Sequence, residues 1–381
     1  MTLTAGQLDV LATSPDAFAD QWSLGIVLRR SADGPTLLDE PVTEADLAEA
    51  RSEAWLNGFL RQGHPDLPLE AVTTRIAPLF TEDRCIGFAL RAKGSKGPAA
   101  SGTPSVYTFG VQCLAPVAQR GSARLLADGR LAEDDTYVYE LQARPGPMMP
   151  QKMPEQAGIK ITTRTVPLRF ATRPLKPLLA AARPVGEILD DVLPVIFTEA
   201  AHEKSRLFAR RGAASTPAVE TGSILLGELC VCPDSPEMFV TVDDAIEVVD
   251  AEQQEFSLIP SSRSWTRVQA VLDRLTSTDA GGTRRLVGQS HGHNFGLPGD
   301  PCALCATAKH CSRTTVFVSS ADRTFMRTVF AGQPFALCWI AGTNARAEEV
   351  SSLFTLRAGV LQERGYHVVE SIPSIDSPLT T

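Results

Sequence analysis

Three features are missing from the sequence, and each absence excludes a class of protein. No apolar run approaches the roughly 18–20 residues that cross a bilayer, and the first nine residues lack the basic start and apolar stretch of a secretory signal. Positive charge is in short supply, because 36 Lys and Arg face 44 Asp and Glu and leave a net charge of −8. This deficit argues against a general nucleic-acid binder. We therefore expect a cytoplasmic protein whose partners are neither membranes nor nucleic acids.

The rest of the composition is typical of a globular protein. The 381 residues are 43% hydrophobic and 21% charged, and such a length predicts about two or three domains. Four prolines fall between residues 144 and 154, where neither a helix nor a central strand can continue. We therefore expect an N-terminal α+β domain of unknown type at 1–143, a Pro-rich linker and connector at 144–184, a second domain at 185–370, and a disordered Ser/Pro/Thr-rich tail at 371–381.

The second domain alternates predicted helices and strands, which indicates an α/β fold. A helix is expected at 188–211, either continuous or in two pieces broken near Pro194, then strands at 223–231, 238–249 and 256–259. The next helix places Trp265, Val268, Leu272 and Leu275 on one face. A strand at 285–290 follows, then a helix at 320–330, an apolar strand at 335–341 and a final hairpin pairing 353–361 with 366–369.

Histidine and cysteine are concentrated in one short stretch. Residues 291–311 hold three of the six histidines and three of the eight cysteines. Because alternate residues of an extended chain point to the same side, His291 and His293 can present two imidazoles to one point. A catalytic zinc takes three protein ligands and keeps one position open. Asp322, in the first turn of a predicted helix, can supply the third ligand, and Glu220, just before an apolar strand, can act as general base.

These residues resemble the motif of the JAMM/MPN-type (Mov34/PAD-1, JAB) zinc metalloproteases. The motif is a glutamate, then His-x-His, then Ser-x-x-Asp, and its positions fall on Glu220, His291, His293, Ser319 and Asp322. The segment VETGSILLG at 219–227 and the segment SSAD at 319–322 are closest to the deubiquitinase-like branch. The resemblance covers about residues 185–370 and implies a mixed sheet packed by helices, of the cytidine-deaminase-like kind.

The resemblance also implies a role for each of these residues. His291, His293 and Asp322 would hold zinc, Glu220 would move a proton from the attacking water to the leaving amine, and Ser319 would hydrogen-bond the oxyanion. The substrate would be a ubiquitin-like protein, as a conjugate or a precursor. The N-terminal domain would recruit the substrate or an enzyme of the conjugation pathway. The Ala/Arg/Pro-rich composition is typical of a bacterial protein.

The chain departs from the family pattern in two ways. Asn294 follows the second histidine, where the family usually has proline, and the 25 residues 294–318 between His293 and Ser319 form a longer interval than is usual. This insert is rich in residues that bind metals. Its side chains predict a second, structural zinc site, with a redox pair or unligated thiols as the alternatives. The candidate ligands are Cys302, Cys305, His310 and Cys311, and Asp300 or a distant side chain could take the fourth position in place of His310.

Three other functions remain open on the sequence. One is a peptidase that trims a sulfur-carrier-like protein, and another is a non-catalytic MPN-type binding module. The third is a zinc deaminase, which Pro301-Cys302-Ala-Leu-Cys305 favours, but which requires His-x-Glu where this chain has His291-Gly-His293. A rival base, Glu228, is expected to face solvent.

Overall fold

In the computed structural model the described residues are 18, 21–63, 67–81, 84–94, 105–132, 134–148, 168–190, 192–249, 251–254, 257–278, 282–294, 313–330 and 332–372. The chain divides into two compact units. One comprises Met1–Pro167 with Arg357–Val360, and the other comprises Leu168–Leu356 with Leu361–Thr381. The division falls within the segment 144–184, and the predicted domain limits themselves stay predictions. The tail from 373 onward lies outside the described residues.

The first unit is a sheet with helices. Its described strands are β1 (Trp22–Arg29), β2 (Thr36–Pro41), β3 (Val72–Thr81), β4 (Arg84–Gly94), β5 (Ser105–Gly110) and β6 (Val138–Pro145). Their order is β2-β1-β6-β4-β3, with β5 also paired to β4, and each of these pairs is antiparallel. Helix α1 (Ala48–Trp55) contacts β4 and β5, while α2 (Ala115–Ala127) contacts β1 and β2. This unit is therefore α+β in composition.

The second unit is built on a mixed sheet. Its described strands are β7 (Ala171–Thr172), β8 (Arg183–Val185), β9 (Val195–Thr198), β10 (Gly222–Val231), β11 (Met238–Glu247), β14 (Arg285–Gly292), β15 (Leu337–Thr343), β16 (Glu349–Arg357), β17 (Val360–Arg364) and β18 (Tyr366–Val369). The order is β17-β16-β15-β14-β10-β11-β9-β18-β8, with β7 paired to β10. A separate ladder joins β12 (Glu252–Gln254) to β13 (Ser257–Ile259). The predicted α/β class is confirmed at this level.

Helices cover both faces of the central strands. The helices of this unit are α3 (Leu175–Ala181), α4 (Glu199–Arg210), α5 (Ser262–Thr278) and α6 (Ser320–Val329). Strand β10 is buried over nearly its whole length, as expected for a strand with both faces covered. Cys338 and Ile340 of β15 pack against α6, whereas Trp339 between them contacts His202 of α4. Because neighbouring strand residues point to opposite faces, α4 and α6 lie on opposite sides of the sheet.

Two predictions about this unit are wrong. The stretch 188–211 is neither one helix nor two helices that meet near Pro194, because β9 occupies Val195–Thr198 and α4 begins only at Glu199. Pro194 precedes that strand, and Thr198 caps the helix by accepting from the backbone N–H of Ala201 at 3.1 Å. The second error concerns the final hairpin. Strand β16 pairs with β17, whereas β18 leaves to pair with β8 and β9.

No helix among the described residues is long and apolar enough to cross a membrane.

Candidate metal centre

The first motif histidine, His291, lies on a central strand that the sheet holds on both sides, and His293 follows the last residue of that strand. Strand β14 is antiparallel to β10 and parallel to β15. The alternation along it places His291 on the same face as Gln289, whose amide reaches the sulfur of Cys338 on the α6 side. Gly292 points the other way, toward the end of α4. Both imidazoles therefore point toward α6, because the backbone stays extended from Gly288 through the end of β14 and alternate residues share a face.

Four side chains from three separate segments meet at this face. The Nε2 atoms of His291 and His293 are 3.2 Å apart. Asp322 places Oδ1 3.0 Å from Nε2 of His291 and Oδ2 3.7 Å from Nε2 of His293. Glu220 lies two residues before the start of β10, and its Oε1 is 3.8 Å from Nε2 of His293. These are the four groups that the motif names as metal ligands and general base.

Local hydrogen bonds fix the orientation of two of these groups. The Nδ1 atom of His293 lies 2.7 Å from the backbone carbonyl oxygen of Thr315, an arrangement that leaves Nε2 as the atom facing the cluster. Asp322 belongs to a capping box at the start of α6. Its carboxylate accepts from the backbone N–H of Ser319 at 2.7 Å, and the hydroxyl of Ser319 accepts from the backbone N–H of Asp322 at 3.1 Å.

The pKa values of the two carboxylates are shifted in opposite directions. The exposed fractions are 4% for Glu220, 2% for His291, 1% for His293 and 6% for Asp322, so water reaches little of the cluster. Burial raises the pKa of Glu220 to about 7, with a further contribution from the negative charge of Asp322. Burial also acts to raise the pKa of Asp322, but His291 and the hydrogen bonds from its neighbours outweigh it and hold that pKa well below its ordinary value.

The donor set fits a metal ion. Three ligands about 2.0–2.1 Å from one tetrahedral ion lie about 3.3–3.4 Å from one another, and the separations of 3.0, 3.2 and 3.7 Å among His291, His293 and Asp322 bracket that value. Glu220, His291 and His293 also form a group whose ligand atoms all lie within 4.8 Å of one another. Nδ1 of His291 is buried with no hydrogen-bond partner among the described residues, so Nε2 supplies the polar contacts of this imidazole.

The structure does not bring every predicted residue to this cluster. The hydroxyl of Ser319 serves as the helix cap, and its role toward an oxyanion stays a prediction. The four predicted ligands of the second zinc lie outside the described residues: Cys302, Cys305, His310 and Cys311. A different group, formed by Glu199, His202 and Glu203, lies on one turn of α4. Its two carboxylates are exposed and pair with Arg183 and Arg206.

The prediction for Glu228, the rival base, is wrong. This carboxylate is 5% exposed and lies 2.6 Å from the guanidinium of Arg173. It also accepts from the hydroxyl of Thr283 at 2.5 Å. Glu228 is therefore fully engaged in a buried ion pair, and it faces neither solvent nor the imidazoles.

Sequence reasoning missed three residues that surround the cluster. Thr315 holds His293 from the far end of the insert. The ring centroid of Phe317 lies 4.9 Å from that of His293, with the two rings tilted by 59°, and 47% of the Phe317 surface is exposed. Asn294 bonds two backbone carbonyls. Of the three, only Asn294 could have been singled out from the sequence, because it occupies a position at which the family usually has proline.

Comparison with known proteins adds little to this geometry. The sequence matches no protein-family model and no curated protein. Solved structures include a match to the solution structure of a protein from Salinibacter ruber (strain DSM 13855). The identity is 17%, the match covers 48% of this chain and 94% of the other, and the TM-score is 0.24. A similarity at that level supports no statement about fold or function.

Proposed function

We propose that residues 185–370 form a JAMM/MPN-type metalloprotease domain, a zinc-dependent peptidase that cleaves a ubiquitin-like protein from a conjugate or a precursor. One observation carries the proposal: Glu220, His291, His293 and Asp322 converge in one buried cluster, in the order and with the partners that the motif requires. A bland explanation, such as histidines packed in a core, does not account for two carboxylates directed at the same pair of imidazoles.

The four residues would divide into three metal ligands and one general base. His291, His293 and Asp322 would hold the zinc, because Asp322 is anionic and the Nε2 atoms of both imidazoles face its carboxylate. When bound, zinc supplies Lewis acidity that activates a water molecule and polarises a carbonyl. Glu220 is the group left to move protons. A pKa of about 7 allows its carboxylate to take a proton at Oε1 and to release it to a leaving amine at neutral pH.

The surroundings fit a peptide substrate. Phe317 offers an exposed apolar ring directly beside His293, where a substrate chain entering the site would contact it. Ser319 lies at the N-terminus of α6, where the unpaired backbone N–H groups favour negative charge. In the capping box the Ser319 hydroxyl accepts from the backbone N–H of Asp322, so its own hydrogen would be the one that it donates to a developing oxyanion.

The experiment tests cleavage and the role of the base together. The full chain is loaded with zinc and incubated with a bacterial ubiquitin-like protein, both as a linear fusion and as an isopeptide conjugate on a lysine peptide. We expect cleavage by the wild type, and no cleavage by Glu220→Gln although it keeps its zinc. Equal turnover by Glu220→Gln would overturn the assignment of the base.

The substrate panel separates the remaining functions. A sulfur-carrier protein fused to the same reporter peptide is included, and cleavage of that fusion alone would replace the proposed substrate with the carrier. Binding of the ubiquitin-like protein without cleavage of any fusion would show that the domain is a binding module and not a peptidase. Release of ammonia from cytidine or adenosine, with no peptide cleavage, would replace it with a deaminase.

A further inference from the structure

The loop that carries Glu220 is anchored to the strand that carries the histidines. Strand β14 and helix α4 approach closely because Gly292 has no side chain, and a Cβ atom there would stand 2.0 Å from the carbonyl oxygen of Ala209. The backbone N–H of Gly292 also donates to the carbonyl oxygen of Thr221 at 2.9 Å. The C-terminus of α4, the end of β14 and the residues around Glu220 therefore form one packed corner.

Asn294 occupies the centre of that corner. Its Nδ2 donates to the carbonyl oxygen of Ala209 at 3.0 Å and to that of Val219 at 2.8 Å. Its Oδ1 accepts from the guanidinium of Arg210 at 2.7 Å. The carboxamide thus uses both of its N–H groups and its oxygen, each toward a different part of the corner.

The bond to Val219 matters because Val219 immediately precedes Glu220. On the other side of Glu220, Thr221 is held by its own hydroxyl, which donates to the carbonyl of Ala209 at 3.1 Å, and by the bond from Gly292. The backbone is therefore fixed on both sides of the base. On the Val219 side the hold has two parts: the backbone N–H of Val219 donates to the carbonyl oxygen of Gly212 at 3.2 Å, and the carboxamide of Asn294 binds the Val219 carbonyl.

We propose that Asn294 is a positioning residue, whose carboxamide sets the distance between the carboxylate of Glu220 and the imidazole of His293. The inference rests on the proposed function for the role of Glu220. The metal ligands do not depend on Asn294, because His291 is held by the pairing of β14, His293 by Thr315, and Asp322 by the cap of α6. A proline at this position could make none of the three bonds.

The first test measures geometry and metal binding, and it requires no substrate. Crystal structures of the zinc-loaded wild type and of Asn294→Ala are compared, and zinc affinity is measured by competition with a chelator. In the variant we expect Glu220 to lie further from His293 than the 3.8 Å seen here, with the ligands in place and the zinc affinity unchanged within about twofold. An unchanged separation, or displaced ligands with loss of zinc, would overturn the proposal.

The second test measures turnover. Misplacement of a catalytic group by about 1 Å can cost about 100-fold, so we expect Asn294→Ala to lower kcat by about 10–100-fold with KM unchanged. In a Glu220→Gln background the same substitution should cause no further loss. A full additional loss in that background, or a rise in KM alone, would show that Asn294 acts on something other than the base.

Two further variants keep the outcome decidable. If Asn294→Ala does not fold, Asn294→Asp retains the contact with Arg210 but removes both donations to the carbonyls, and it should behave as described for alanine. Asn57 of the first unit is a matched control, because its Nδ2 donates to the carbonyl of Glu53 at 3.0 Å and its Oδ1 accepts from Arg61 at 3.3 Å. Asn57→Ala should leave kcat, KM and the Glu220 geometry unchanged. If the wild type cleaves no substrate, the proposed function fails, whereas geometry and zinc affinity still decide the role of Asn294.

Discussion

The imidazole of His293 and the carbonyl oxygen of Thr315 are joined by a 2.7 Å contact that spans the insert. The hydroxyl of Thr315 returns a bond to the carbonyl oxygen of His293 at 3.3 Å. The insert begins directly after His293, and near its other end Thr315 is bonded to the same residue. Both ends of the insert are therefore anchored at His293, a predicted metal ligand. Thr315 also pairs with Thr343 at the end of β15 through its backbone N–H at 2.9 Å, so the sheet itself supports this junction.

This junction predicts that the cluster forms without the insert. Replacing residues 297–310 with a short Gly/Ser linker should retain zinc at His291, His293 and Asp322, because the replacement keeps Thr315, the capping box of α6 and the pairing of β14, which hold these three residues. Zinc content after dialysis and thermal unfolding with and without chelator provide the measurement. Loss of zinc in this variant, together with a chelator-insensitive melting temperature, would show that the insert contributes directly to the centre.

A second prediction concerns the number of metal ions. Elemental analysis of the wild type should give two zinc ions per chain, falling to one in His293→Ala and to one in the Cys302→Ser/Cys305→Ser double variant. The two losses have separate causes, since the first removes an imidazole from the buried cluster and the second removes two thiolates from the insert. A single zinc that disappears with the cysteines would assign the only ion to the insert and leave the histidine cluster metal-free.

The sequence indicated where His291, His293 and Asp322 lie, because their placement depends on local rules, whereas their role as metal ligands stays a prediction. His291 and His293 share a face through the alternation of a strand, and Asp322 is placed by the capping box that Ser319 begins. Glu220 is different, since it lies about 70 residues before the histidines. Glu220 reaches the histidines because Gly222 pairs with His291. No local sequence pattern indicated this pairing, and only the resemblance to the family motif did.

The errors arose where tertiary contacts override local pattern. The apolar residues at 195–198 suit a helix face as well as a strand, and the pairing of β9 with β11 and β18 decides for the strand. The environment of Glu228 could not be predicted, because its partner Arg173 lies 55 residues away along the chain and meets it only in the fold. The junction at Asn294 depends likewise on three segments that meet only in the folded chain.

The pair formed by Glu228 and Arg173 leads to a stability prediction. Removing one partner of a buried ion pair leaves the other charge uncompensated, at a cost of about 3–5 kcal/mol. Glu228→Gln should lower the free energy of unfolding of the second unit by this amount, as measured by urea denaturation. As a control, Glu203→Gln removes an exposed partner of Arg206 and should change it by about 1 kcal/mol or less. Equal effects of the two substitutions would contradict the buried pair.

A final prediction follows from His202 in the core of the second unit. Its Nε2 lies 3.0 Å from the hydroxyl of Tyr366, which also accepts from the indole N–H of Trp339 at 3.0 Å. Burial lowers the pKa of His202, and although Glu203 and Glu199 act to raise it, Arg183 and Arg206 oppose them. The folded chain therefore binds a proton at His202 less readily than the unfolded chain does.

The sign of the pH effect follows from this difference. Stability from the neutral imidazole is fully present above the ordinary histidine pKa of about 6.5, and it is lost as the pH falls below that value toward the lowered pKa of the folded state. Between pH 7.5 and 5.5 the free energy of unfolding should fall by up to about 1.4 kcal/mol per pH unit for this one group. His202→Gln keeps a polar group near Tyr366 but cannot titrate, so its unfolding free energy should fall less steeply over the same range. Two other groups remain in both proteins: His367, whose pKa burial also lowers, and Glu220, whose raised pKa acts in the opposite direction over this range. The difference between the two slopes therefore measures the contribution of His202. Parallel pH profiles for the two proteins would exclude His202 as the titrating group.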